Sequence, residues 1–143
     1  SVSGTSLNVT GLSNNTTYYF RVKSVNGQGT AGSYSSNGSG TTTAGIPGSV
    51  SASPGIGQVT VSWSAPQGGA STYQVFYSNN VNIAPNTSGG TTTSTTKVVS
   101  GLTAGTTHYF IVKATGTNGI QGASSSQVSA TPTSGGGGGG KGK

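Results

Sequence analysis

The chain has 143 residues, 27 of them glycine, with six Lys or Arg, one histidine, and no Asp, Glu or Cys, giving a formal net charge of +6. That inventory excludes paired-carboxylate glycoside hydrolysis, carboxylate-bound calcium or magnesium, multi-ligand zinc sites and a nucleophilic triad, since each needs acids, cysteines or several histidines. No enzymatic activity and no cofactor or metal site is expected.

Taken in chain order, the first patterned segment runs through Tyr18, Tyr19, Phe20, Arg21, Val22 and Lys23. Period-two alternation places Tyr18, Phe20 and Val22 on one face and Tyr19, Arg21 and Lys23 on the other. A Gly/Pro-rich hinge, Ala44-Gly45-Ile46-Pro47-Gly48, follows. Next come Gln58–Trp63, with Val59, Val61 and Trp63 on one face, and Tyr73–Tyr77, with Tyr73, Val75 and Tyr77 on one face. His108–Ala114 then puts His108, Phe110, Val112 and Ala114 together. No segment keeps a 3.6-residue apolar period, so an all-β antiparallel sandwich or barrel is predicted. The chain ends in a Gly-rich tract with Lys141 and Lys143, expected to be flexible over 135–143.

The chain also repeats itself. Shifted by ninety residues, Val9, Gly11, Leu12, Tyr19, Phe20, Val22 and Lys23 fall on Val99, Gly101, Leu102, Tyr109, Phe110, Val112 and Lys113. Without a gap, 16 of the 38 positions from Leu7 to Ala44 are identical. Residues 1–44 therefore correspond to 91–134, and the full unit is a normal domain size.

The spacing Pro47-x-x-Val50, Val59-x-Val61-x-Trp63, Tyr73-x-Val75-x-Tyr77 and Val99-x-Gly101-Leu102, followed by an aromatic strand, resembles a fibronectin type III domain. The resemblance implies a seven-stranded Greek-key sandwich over 45–134, and strands E, F and G of a preceding copy over 1–44. Trp63, Tyr73, Tyr77, Leu102, Phe110 and Val112 would then be structural core. The family's corner tyrosine at the start of strand F is matched by Tyr18. His108 stands there in the complete copy, where it is expected to hydrogen-bond nearby backbone in place of the tyrosine.

The opposite sheet face would carry Tyr19, Arg21 and Lys23 in the first copy, and Tyr109, Ile111 and Phe76 in the second. This strip is a candidate contact with another subunit or a sugar-stacking platform. The half copy leaves Val9, Leu12, Tyr18, Phe20 and Val22 without a covering sheet. Strands upstream, or strands from a neighbouring subunit in a head-to-tail filament, would have to supply it.

Absence of acids from a chain this long has a chance on the order of one in 10⁸ at average usage, and fits a low-charge exterior selected in harsh or acidic surroundings. The cations form no dense stripe, so a nucleic-acid partner is not expected. No apolar run is long enough to span a membrane. The leading expectation is a non-catalytic repeat module of an extracellular or cell-surface filament, stalk or adhesin. Its partners would be other copies of itself, with polysaccharide a further possibility. A spacer in a secreted polysaccharide-degrading enzyme is the runner-up.

Overall fold

The computed structural model describes residues 2–82 and 84–135; the expected flexible tail lies, but for Gly135, outside the described residues. Among these residues there are twelve β-strands and no helix, hence no helix able to cross a membrane.

The complete sandwich is built from β5 (Gly48–Gly55), β6 (Gln58–Ser64), β7 (Thr72–Ser78), β8 (Thr87–Thr92), β9 (Thr96–Ser100), β10 (His108–Thr115), β11 (Gln121–Ser124) and β12 (Val128–Ala130). One antiparallel sheet has the order β5-β6-β9. The other runs β11-β10-β7-β8, with β12 also on β10. The last two segments are one strand interrupted at Ser125. There the buried Ser125 hydroxyl accepts from Val112 N at 2.9 Å, and its own N–H donates to Val112 O at 2.9 Å. A side chain thus stands in for a missing rung of the ladder, which keeps the buried backbone satisfied.

Alternation in the sequence becomes two faces in space. In β10, His108, Phe110, Val112 and Ala114 are buried, whereas Tyr109, Ile111 and Lys113 are half-buried on the outer side. Pairing with β7 sets Phe110 opposite Tyr77, Val112 opposite Val75 and Ala114 opposite Tyr73. These side chains join Val59, Val61 and Trp63 of β6, Val99 and Leu102 in one core cluster. Trp63 and Tyr73 meet edge to face at 5.3 Å. Burial of each large apolar side chain contributes about 1.5–3 kcal/mol, so this cluster carries most of the stability.

Residues N-terminal to the sandwich form two hairpin pairings: β1 (Thr17–Phe20) with β4 (Gly38–Thr41), and β2 (Lys23–Val25) with β3 (Ala31–Tyr34). The ninety-residue offset holds down to single bonds. Tyr18 pairs with Gly40 as His108 pairs with Ala130, and Lys23 with Tyr34 as Lys113 with Ser124. The Thr17–Thr41 hydroxyl contact of 2.8 Å returns as Thr107–Thr131 at 2.9 Å.

Two differences separate the copies. Residues 6–10 form no strand, whereas their counterparts in β9 pair with β6; among the described residues no second strand is available to them. The inner face is also bare. Phe20 is 41% and Val22 73% exposed, against 0% for Phe110 and Val112.

Candidate functional site

Three places carry chemistry beyond packing: the start of β10, the joint between the two units, and the outer sheet faces.

His108 differs from the expectation set for it. It is buried, yet neither ring nitrogen has a hydrogen-bond partner. Its ring packs at 5.9 Å from Tyr77 and 6.5 Å from Phe110. In the first unit the Tyr18 hydroxyl accepts from Ser13 N at 2.9 Å, closing the corner upstream of the strand. An imidazole is shorter than a phenol, so its nitrogens stop short of that amide, and the expected backbone bond is not made. A cavity of about 410 Å³ opens beside it, lined by Tyr77, Ser78, Asn79, Asn80, Asn86 and Thr87. His108 borders the cavity, but its nitrogens are shielded from solvent. Among the described residues no group of three or more metal-type side chains exists.

The joint between units is partly enclosed, with Ile46 exposed. Ala44, Gly45 and Pro47 are buried. Asn15 sits in the left-handed region (φ 49°) and reaches across the boundary. Its Oδ1 accepts from Thr117 N at 2.8 Å and from Thr117 Oγ1 at 3.0 Å, and its Nδ2 donates to Gly68 O at 3.1 Å. Asn118 Nδ2 donates back to Thr41 O at 3.4 Å. Two glycines permit the approach. A Cβ on Gly68 would stand 2.3 Å from Asn14 O, and one on Gly122 would stand 2.2 Å from Ala44 O. Their role as contact surface depends on residues about fifty to eighty positions away, and nothing in the local sequence signals it.

On the outer face, the register places Phe76 opposite Ile111, Gln74 opposite Lys113, and Ser78 opposite Tyr109. The strip is self-covered. Lys113 Nζ lies 5.8 Å from the Phe76 ring centre, and Gln121 Nε2 donates to Gln74 Oε1 at 2.7 Å. The first unit is more open, with Tyr19 74% exposed. There Arg21 Cζ lies 4.7 Å and Lys23 Nζ 5.2 Å from the centre of the Tyr34 ring. Tyr34 was not singled out by sequence reading; its place opposite Lys23 comes from hairpin register rather than spacing along the chain.

Comparison with known proteins points one way. A family model described as the fibronectin type III domain matches residues 46–131. No curated protein matches the chain. An Fn3-like protein from Clostridium thermocellum is 27% identical, with a TM-score of 0.52, covering 60% of this chain and 90% of that one. Domains d3–d4 of the rat CD45 extracellular region align over 92% of this chain and 71% of theirs, at 14% identity and a TM-score of 0.56. The β-1,2-glucanase from Parabacteroides distasonis aligns over 62% of this chain but only 13% of its own length, at 16% identity and a TM-score of 0.51. The last two likenesses are ones of fold.

Proposed function

The chain belongs to the fibronectin type III family, and on that premise we propose that it is a non-catalytic, stiff structural repeat of an extracellular or cell-surface filament or stalk. The observation that carries this reading is the joint. Asn15 makes three hydrogen bonds into the neighbouring unit, Ala44, Gly45 and Pro47 of the linker are buried, and glycines at 68 and 122 allow backbone contact. A flexible tether would leave its linker exposed and unbonded, whereas this joint holds one orientation, as a spacer under load requires.

The bare inner face of the first unit supports an array. Its residues Leu12, Phe20 and Val22 repeat Leu102, Phe110 and Val112, which are buried in the core of the complete sandwich with β6 and β7. A similar set of strands is the natural cover. Strands of a further unit, lying upstream in a longer chain or donated by a neighbouring copy, would complete it.

The test is ¹⁵N relaxation on the full chain. Amides of 17–41 and 46–131 should share one tumbling time. Gly68→Ala, which drives a methyl group into Asn14 and adds strain at φ 81°, should separate them into two. Separate times in the unaltered chain would refute the stiff-repeat reading.

A further inference from the structure

We propose that the outer face of the first unit, formed by Tyr19, Arg21, Lys23 and Tyr34, binds an acidic polysaccharide. Arg21 and Lys23 converge on one ring, 4.7 and 5.2 Å from the Tyr34 centre. Two like charges gathered on one spot make a locally positive surface that a neighbouring anion would favour. This chain has no Asp or Glu anywhere, so no side chain of its own can supply that anion. The spot is left open to dissolved salt or to an anionic partner.

The aromatic component narrows the partner's chemistry. Tyr19 is 74% and Tyr34 56% exposed, offering ring faces to sugar rings while the cations take carboxylate or sulfate groups. From Tyr19 to Lys23 the strand direction covers about 13 Å, enough for more than one sugar of an extended chain. Charge density separates a polysaccharide from a nucleic acid. Duplex DNA presents a charge every ~1.7 Å and is met by dense basic stripes, whereas this face holds two cations.

The second copy is an internal control. Leu12, Phe20 and Val22 recur as Leu102, Phe110 and Val112, but Arg21 is replaced by Ile111 and Tyr34 by Ser124. Lys113, the counterpart of Lys23, lies over Phe76. The binding face therefore belongs to the first unit alone and is a property laid over the fold rather than required by it.

The experiment is an NMR titration of the full ¹⁵N-labelled chain with polygalacturonate, with dextran as neutral control and oligothymidylate as nucleic-acid control. Polygalacturonate should shift the amides of residues 19–23 and 34, with affinity falling as sodium chloride is raised, and dextran should do nothing. Arg21→Gln with Lys23→Gln should weaken binding about tenfold, the worth of two exposed ion pairs. Tyr34→Ser should weaken it while leaving the salt dependence in place. All three side chains face solvent, so unchanged signals from β4, which pairs with β1, verify the fold of the first unit. Absence of polygalacturonate binding, equal binding of dextran, shifts confined to 96–131, undiminished binding by the double variant, or tighter binding of oligothymidylate would each overturn the proposal.

Discussion

Tyr73 shows how one buried polar group ties stability to pH. It is packed against Trp63 in the core, and that burial pushes its phenol above the ordinary tyrosine value, because the charged phenolate would be stranded in apolar surroundings. The folded state therefore holds its proton more tightly than the unfolded chain. The resulting stability is complete below the unfolded value of about 10 and is lost as pH rises through the higher folded value. Alkaline conditions should accordingly favour unfolding, and Tyr73→Phe should remove this contribution. Urea midpoints measured from about pH 9 to pH 12 should fall less steeply in the variant than in the parent chain; parallel curves would show that Tyr73 does not carry the effect. Trp63 beside it was legible from the sequence as core, since strict alternation with Val59 and Val61 leaves it no other face. Its indole N–H, buried without a partner, was not legible, because hydrogen bonding depends on what the opposite sheet presents.

At the scale of single elements, the start of β10 is where the chain departs from its own repeat. The first unit closes its corner through Tyr18 and Ser13, while the second places two unpartnered imidazole nitrogens there. An unsatisfied buried polar group costs about 1–3 kcal/mol. His108→Tyr removes both nitrogens and puts a hydroxyl within reach of the amide of Thr103, the counterpart of Ser13. The variant should gain about 1–2 kcal/mol, which raises the melting temperature by roughly 4–15 °C for a domain of this size. A lower melting temperature would mean that the neighbouring cavity cannot take the larger ring. Strand positions in the sandwich were legible because apolar alternation and turn glycines agree there. The missing strand over residues 6–10 was not, since a strand exists only through its partner. The close approach of Asn14 to Gly68 and of Ala44 to Gly122 was not legible for a related reason: glycine signals both freedom and closeness, and only tertiary structure decides which applies.

For the whole molecule, a composition without Asp or Glu removes the usual route to acid unfolding. Proteins lose stability in acid mainly because carboxylates paired in the folded state become protonated and histidines buried neutral become charged. This chain has no side-chain carboxylate, and its one imidazole is at position 108. The fold is held instead by an apolar cluster between two sheets, and by hydroxyl and amide hydrogen bonds such as Thr107–Thr131 and those of Asn15, none of which changes charge in acid. A chain without side-chain carboxylates thus lacks the commonest cause of unfolding at low pH. The His108→Tyr variant isolates the effect, since it contains neither carboxylate nor imidazole side chains. Its thermal midpoint should stay level from about pH 7 to pH 2, a range over which ordinary domains lose most of their stability. A progressive fall below about pH 4 would show that some other group or bound anion stabilises the fold. A level profile would mean that net positive charge alone, spread over so few cations, is too weak to open the sandwich.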